Sequence, residues 1–194
     1  MNSETDMSLI DHSLKECVEA IRGIETSKLK RISEMVVRCY ANGGKVMLCG
    51  NGGSASQAQH IAAELVCKFR KDRGPFPALA LTTDTSILTA QSNDVGYETV
   101  FERQVEAHGR KGDVLIALST SGNSQNVVRA LRAARNNLIK TVVLTGGNRR
   151  SEAVAMADEV LFIESSDTPR IQEAHIVAGH IICELVETEM ANRI

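Results

Sequence analysis

Residues 114–124 read Val-Leu-Ile-Ala-Leu-Ser-Thr-Ser-Gly-Asn-Ser, an apolar run that passes directly into a hydroxyl-rich turn. The apolar run predicts a buried strand, and the residues after about Asn123 predict a helix. Short hydroxyl groups, a glycine that lets a ligand approach the backbone and N–H groups at a helix start favour a bound anion. The same turn is also typical of a plain helix cap. This stretch alone therefore leaves a phosphate site and a structural cap equally open.

The alternation of strand and helix continues on both sides of this unit. Apolar runs occupy residues 46–49, 78–82, 114–118, 141–145 and 159–163. Helical patterns lie between and after them, near residues 54–68, 85–92, 98–108, 124–137, 150–157 and 171–192. Short strands separated by helices run parallel with right-handed crossovers. We therefore predict an α/β fold with a five-stranded, doubly wound parallel sheet.

Two further helices are predicted before the first strand. Apolar residues recur at spacings of three and four over residues 6–22 and again over residues 29–40. Because no strand separates them, we expect residues 1–42 to form an antiparallel helical hairpin. Its apolar stripe must cover either the chain's own domain or a second subunit. Residues 1–194 are expected to form a single domain.

Composition excludes several classes of function. The 194 residues include 22 Lys and Arg against 24 Asp and Glu, which gives a net charge near −2. No dense basic run is present, so binding to nucleic acid is not expected. No long apolar stretch suggests a membrane span or a secretory signal, and a cytoplasmic protein is expected. The five cysteines are scattered without a Cys-x-x-Cys pair, which suits reduced thiols.

Two more loops follow predicted elements and could hold a ligand. Residues 50–55, which include Asn51, Gly52, Gly53 and Ser54, fit the G-x-G-x-x-G/A dinucleotide pattern and equally fit a tight turn. A dinucleotide site needs an acidic residue about 20 positions later, at a strand end, and no residue meets this requirement. Residues 91–94 are expected to form a polar loop in which Asn93 and Asp94 could bind sugar hydroxyls.

Histidine and glutamate residues on two predicted helices are candidates for chemistry. His60 and Glu64 are four residues apart, so their side chains share one helical face and could bind one metal ion or form a surface pair. His180 lies in an apolar segment and is a candidate ligand, catalyst or hydrogen-bonded core residue. Spacing alone pairs His180 with Glu184, because Gln172 lies about 12 Å away along an ideal helix.

Taken together, these motifs resemble the phosphoheptose isomerase family of the sugar-isomerase (SIS) domain superfamily. The resemblance spans nearly the whole chain, including the N-terminal helices. Its motifs are residues 49–54, Gln59-His60 with Glu64, residues 81–84, Asn93-Asp94, residues 119–124, residues 170–173, His175 and His180.

The resemblance implies roles that spacing does not decide. It implies a divalent metal ion, zinc, held by His60, Glu64, Gln172 and His180, with Glu64 as catalytic base and His180 as catalytic acid. It implies that the substrate, sedoheptulose 7-phosphate, is held by Glu64 and by the following residues: Asn51, Gly52, Gly53, Ser54, Asn93, Asp94, Ser119, Thr120, Ser121, Ser124 and Gln172. Whether the metal is catalytic or partly structural is left open.

The resemblance also implies a homotetramer with sites at subunit interfaces. The reaction it implies is the conversion of sedoheptulose 7-phosphate to D-glycero-D-manno-heptose 7-phosphate, the first step of ADP-heptose biosynthesis. Two other classes are considered beside it: a non-catalytic SIS protein that binds sugar phosphates or regulates replication, and a dinucleotide enzyme. The presence of both Glu64 and His180 argues against the non-catalytic class.

Overall fold

The structure, a computed structural model, describes residues 3–192. Residues 1, 2, 193 and 194 of the predicted single domain lie outside this range. The strands form one parallel sheet in the order β2-β1-β3-β4-β5, with these bounds: β1 Val46–Gly50, β2 Ala78–Ala80, β3 Val114–Ser119, β4 Lys140–Gly146 and β5 Glu159–Ile163. The predicted five-stranded, doubly wound sheet is confirmed.

Helices connect the strands and cover both faces of the sheet. They are α1 Ser3–Arg22, α2 Thr26–Ala41, α3 Gly53–Val66, α4 Thr85–Asp94, α5 Val100–His108, α6 Gln125–Asn136, α7 Glu152–Ala155 and α8 Thr168–Ala191, with a 3-10 turn at Tyr97–Thr99. Each of the predicted helical segments corresponds to one of them, with bounds that differ by a few residues.

Strand β3 lies at the centre of the sheet and is buried on both of its faces. All six of its residues are buried, and it pairs with β1 on one side and with β4 on the other. Val114, Ile116 and Leu118 face a core shared with α2, α3 and α8. Leu115 and Ala117 face a second core formed with α5 and α6. Continuous apolar runs are typical of parallel strands that are buried on both faces.

The segment 91–94 differs from the sequence-based expectation. It is the last turn of α4 rather than a polar loop. The Asp84 carboxylate caps the start of α4 by accepting the Ile87 N–H at 2.9 Å, and the Gln91 carbonyl accepts the N–H groups of Val95 and Gly96. Gly96 then adopts a φ of +144°, which ends the helix. The helix therefore continues two residues past the predicted end.

The N-terminal helices lie outside the sheet, as predicted. Helix α1 packs against α8, while α2 packs against α8, β3 and β5. Helix α1 carries large apolar side chains that are about half exposed. Met7, Ile10, Leu14 and Val18 follow the helical spacing of one face, and Leu9 lies on another. Over the described residues, no helix is both long and apolar enough to cross a membrane.

Candidate active site

The hydroxyl-rich turn and the glycine loop meet at the carboxyl ends of the parallel strands. Strands β1 and β3 are paired neighbours, with Gly50 opposite Leu118, so the loops that follow them begin side by side. The chain continues from β1 and from β3 toward opposite edges of the sheet, and ligands bind at such a switch point in open α/β sheets. A cavity of about 260 Å³ lies there, lined by Asn51, Gly52, Gly53, Ser54, Leu118, Ser119, Thr120, Ser124, Thr168 and Gln172.

The geometry of the hydroxyl turn favours the anion site over the plain helix cap. Ser124 precedes α6, but its hydroxyl makes no capping hydrogen bond to any residue that the structure describes. The Ser124 Oγ atom instead lies 3.5 Å from the Ser119 Oγ atom at the cavity. Gly122 has a φ of +69° and donates its N–H to Ser119 Oγ at 3.1 Å, which shapes the turn. A Cβ atom on Gly122 would collide with Ser151 Oγ.

Ser121 occupies a different position from the other predicted hydroxyls. Its Oγ atom accepts the Asn123 N–H at 3.2 Å. The residue lines a neighbouring, more open cavity of about 550 Å³ at the ends of β3, β4 and β5. This second cavity shares Thr120 and Thr168 with the first. The structure therefore brings Ser119, Thr120 and Ser124 to the smaller cavity and places Ser121 at its neighbour.

The side chain of Asn51 belongs to a hydrogen-bond network that the sequence did not reveal. The amides of Asn51 and Asn126 exchange two hydrogen bonds of 2.8 and 2.9 Å. The Tyr97 hydroxyl donates a third, to Asn51 Oδ1 at 2.9 Å. These bonds link the loop after β1, the 3-10 turn after α4 and the first turn of α6, and so stabilise the cavity wall. No pattern in the sequence connects the three residues.

Asn93 and Asp94 lie away from this cavity. Both are exposed at the end of α4, and the Asn93 amide donates to the Asp94 carboxylate at 2.9 Å. Neither lines either of the two cavities described above. Their binding of sugar hydroxyls stays a prediction.

Helices α3 and α8 bring three candidate metal ligands together. On α3, His60 Nε2 lies 3.3 Å from Glu64 Oε1, and His180 Nε2 on α8 lies 2.9 Å from His60 Nε2. The ligand atoms of all three side chains lie within 4.8 Å of one another. The helices can approach because Gly179 has no side chain where Ile61 packs, since a Cβ atom there would lie 2.6 Å from Ile61 Cδ1.

The donor set of this cluster fits a divalent cation. Two imidazole nitrogens and one carboxylate oxygen form a three-ligand set typical of catalytic zinc. Two Nε2 atoms that face each other at 2.9 Å need either a shared proton or a shared cation between them. The side chain of His60 is 49% exposed and that of Glu64 is 23% exposed, so a further ligand can reach the cluster from solvent.

Gln172 lies near the start of α8, eight residues before His180. A Cβ atom on Gly53 would lie 2.6 Å from Gln172 Nε2, so this amide rests against the glycine loop and lines the smaller cavity. The Gln172 carbonyl accepts a 2.6 Å hydrogen bond from Gln57. Gln172 therefore has a position suited to substrate binding, and its service as a metal ligand stays a prediction.

Comparison with known proteins agrees with the fold. The SIS domain family matches residues 11–146. A phosphoheptose isomerase of Roseiflexus sp. (strain RS-1) is 55% identical over 168 residues, 86% of this chain and 85% of that protein. One of Clostridium acetobutylicum is 47% identical over 188 residues, 94% of this chain and 95% of that protein. The structure of a phosphoheptose isomerase from Francisella tularensis superposes with a TM-score of 0.88 at 33% identity, over 97% of this chain and 100% of that one.

These similarities define a protein of the SIS domain class. Within that class, the chain belongs to the phosphoheptose isomerase family. Membership in a family of enzymes agrees with the argument that Glu64 and His180 made against a non-catalytic protein. It also replaces the dinucleotide interpretation of residues 50–55.

Proposed function

We propose that the protein converts sedoheptulose 7-phosphate to D-glycero-D-manno-heptose 7-phosphate. The observation that carries the proposal is the convergence of His60, Glu64 and His180 on two helices that both begin at the hydroxyl cavity. Phosphoheptose isomerase is also the name of the relatives with about half of their residues identical.

The distance between the two ends of the site supports a seven-carbon substrate. His60 lies seven residues after Gly53 on α3, and His180 lies eight residues after Gln172 on α8. At a rise of about 1.5 Å per residue, both intervals amount to roughly 10 to 12 Å. An extended heptose spans roughly 10 Å from its first carbon to its phosphorus, with single bonds of about 1.5 Å. A phosphate at the hydroxyl cavity would thus place C1 and C2 near the cluster.

Interconversion of a ketose and an aldose moves one proton between C1 and C2 through an enediol. The Glu64 carboxylate takes the proton from C1 of the ketose, and returning it to C2 gives the aldose. The His180 imidazole donates a proton to the carbonyl oxygen as the enediol forms and takes back a hydroxyl proton as it collapses. The proton count therefore balances over one turnover.

We propose zinc as the metal ion, held by His60, Glu64 and His180 with Gln172 as the predicted fourth ligand. Because one group cannot coordinate the ion and transfer a proton at the same moment, either the coordination by Glu64 and His180 changes during turnover or the metal is partly structural. When bound, the ion polarises the substrate carbonyl and stabilises negative charge on the enediolate oxygen. At the other end, Ser119, Thr120 and Ser124 present hydroxyl groups to the phosphate, and the N–H groups that open α6 add donors. Ser121, Asn93 and Asp94 are assigned to substrate binding by resemblance.

The proposal is tested by a turnover assay on sedoheptulose 7-phosphate with the zinc-loaded protein and two variants. Glu64→Gln removes the proposed base, and we expect its kcat to fall by at least about 10²-fold. Glu184→Gln is the matched control, because this carboxylate is four residues from His180 but pairs with Arg70 at 3.1 Å. The control should keep the kcat of the wild type. Wild-type turnover in Glu64→Gln would remove the base assignment, and binding without turnover by the wild type would favour a non-catalytic SIS protein.

We also propose that the exposed stripe of α1 is covered by further copies of the chain in a homotetramer. Met7, Ile10, Leu14 and Val18 form a stripe of four large apolar side chains, which is costly to leave in water and is typical of an interface. Leu14→Gln should shift the mass measured by light scattering toward smaller assemblies, whereas an unchanged mass would remove α1 from the interface. We also propose a role in ADP-heptose biosynthesis and a cytoplasmic location, as the resemblance implies.

A further inference from the structure

Glu187 is a carboxylate on α8 that is almost completely buried, with 2% of its surface exposed. It accepts the backbone N–H groups of Phe69 at 3.1 Å and of Arg70 and Lys71 at 2.9 Å each. The Arg73 guanidinium donates a fourth hydrogen bond from Nε at 2.9 Å. A buried charge needs this much compensation. One side chain of α8 thus fixes the backbone of the segment that follows α3.

Arg73 carries the connection onward to the helix that holds Glu64. Its Nη2 atom donates to the Glu64 carbonyl at 2.9 Å, and its Nη1 atom donates to the Leu65 carbonyl at 3.0 Å. These carbonyls belong to the last turn of α3, where helices leave acceptors unpaired and where a cation is favourable. The planar guanidinium also lies 3.9 Å from the centre of the Phe76 ring. Lysine has neither the fork nor the plane that these contacts use.

Phe69 links Glu187 to the ring of His180. Its backbone is held by Glu187, and its ring centre lies 5.6 Å from that of the His180 imidazole. Glu187 itself follows His180 by seven residues, about two turns along the same face of α8. The contacts therefore link the backbone of one member of the cluster to the ring of another.

We propose that Glu187 and Arg73 are positioning residues that fix the separation of Glu64 and His180 for metal binding and proton transfer. This inference rests on the proposed function, because it assigns the pair to the same site. Ligand bonds to zinc tolerate little variation in length, and residues that orient the ligands typically change metal affinity by about 10 to 100-fold when replaced. A displacement of about 1 Å in reacting groups can lower a rate by about 10²-fold.

Asp113 provides a matched control elsewhere in the fold. It is also 2% exposed and accepts hydrogen bonds from the Lys45 side chain at 2.6 Å and from two backbone N–H groups, those of Lys45 and Arg110. It lies at the amino ends of β1 and β3, whereas the cavity lies at their carboxyl ends. Asp113→Asn therefore damages the same kind of buried carboxylate site without contact to the cluster.

The experiment compares Glu187→Gln, Arg73→Lys and Asp113→Asn with the wild type, at a temperature where circular dichroism shows each protein folded. The readouts are kcat and KM for sedoheptulose 7-phosphate, zinc affinity by chelator competition, and the absorption spectrum of the cobalt-substituted protein. We expect Glu187→Gln and Arg73→Lys to lower kcat by about 10-fold or more and to weaken zinc affinity by about 10-fold or more. KM should change less than about 3-fold, and Asp113→Asn should lose only stability.

A Glu187→Gln protein that loses stability but keeps wild-type kcat, zinc affinity and cobalt spectrum would overturn the proposal. Should that variant fail to fold, Arg73→Lys takes its place, since it keeps a cation beside Glu187 and removes the fork that reaches the Glu64 and Leu65 carbonyls. Wild-type zinc affinity and kcat in Arg73→Lys would then overturn the proposal. If the wild type does not turn over the sugar phosphate, the proposed function fails, while zinc affinity and the cobalt spectrum still decide the positioning role.

Discussion

In the hydroxyl turn, Ser119 is buried and bonded to a neighbour in sequence, whereas the cluster of His60, Glu64 and His180 is partly exposed and joins residues far apart in the chain. Ser119 is 4% exposed, and its hydroxyl accepts an N–H from three residues away. The His60 side chain is 49% exposed, and its contact with His180 joins residues 120 positions apart. The hydroxyl turn, which we propose as the phosphate end of the site, therefore depends on local sequence. The cluster, which we propose as the reactive end, depends on packing between helices. Damage to packing should affect catalysis before it affects phosphate binding.

Removal of the metal ion should have the largest effect. This effect should fall on kcat, at the reactive end, and not on phosphate binding. We expect a chelator to lower kcat by at least about 10²-fold, because a bound cation supplies several kcal/mol of charge stabilisation at the carbonyl. Affinity for the phosphate end, measured by calorimetry with inorganic phosphate, should change little. Zinc should restore turnover in the wild type and restore less in His60→Asn. Equal loss of phosphate affinity would show that the two ends are not independent.

Loss of hydroxyls at the phosphate end should affect KM more than kcat. Ser119→Ala and Ser124→Ala should each raise KM by about 10 to 100-fold with a smaller change in kcat, because a hydrogen bond to a charged group contributes about 1.5 to 3 kcal/mol. Ser121→Ala is the comparison, since the Ser121 hydroxyl is hydrogen-bonded to the Asn123 N–H beside the larger cavity. We expect a smaller increase in KM there. An equal increase would move the phosphate toward the larger cavity.

The sequence predicted the strand, turn and helix start around the hydroxyl groups well because the signals for them are local. An apolar run, a glycine with positive φ and a helix start are adjacent in the chain, so pattern and geometry agree at Ser119, Gly122 and Ser124. The five-stranded, doubly wound parallel sheet followed from the same alternation of short strands and helices, whereas the order of its strands was not predicted. Local pattern failed at residues 91–94, where a cap at Asp84 and a late glycine kept the helix intact.

The meeting of His180 with His60 and Glu64 was predicted only through family resemblance. Helical spacing would have paired His180 with Glu184, a residue that bonds Arg70 at the surface. The contacts that bring α3 and α8 together depend on Gly179 beside Ile61 and on Glu187 with Arg73, pairs separated by more than 100 residues. Periodicity carries no information on which residues of distant helices meet. For the same reason the network of Asn51, Tyr97 and Asn126 was not predicted.

A smaller effect on turnover is expected where the two helices touch at the phosphate end. In Gly53→Ala the new methyl group would meet Gln172 Nε2 at 2.6 Å, so the flexible amide must move away from the cavity. We expect KM to rise by about 3 to 10-fold, the loss of roughly one hydrogen bond of about 1 kcal/mol. Gly74→Ala is the control, because nothing lies within 4 Å of its added Cβ. A large fall in zinc affinity in Gly53→Ala would instead support Gln172 as a metal ligand.

His175 lies on α8 between Gln172 and His180, and its replacement should have the smallest effect on turnover. The residue is fully buried, and desolvation lowers its pKa from 6.5 to about 4, although the backbone of Thr145 favours the charged form. The unfolded chain therefore binds a proton on this imidazole between about pH 6.5 and pH 4, while the folded chain does not. Stability should be fully present above about pH 6.5 and should decline as the pH falls toward 4.

His175→Leu removes the ionisable ring and fills a similar volume with apolar atoms. We expect the urea midpoint of the variant to fall less steeply than that of the wild type between about pH 6.5 and pH 5, because one source of proton uptake on unfolding is gone. Turnover near pH 7 should stay within about 2-fold, since the imidazole is neutral there in both states and lies in the core. Parallel slopes for the two proteins would show that other groups cause the acid sensitivity. A variant with unchanged kcat and a shallower acid dependence would show that His175 only supports the fold between Gln172 and His180. A fall in kcat would show that His175 takes part in coupling the phosphate end and the reactive end of the site.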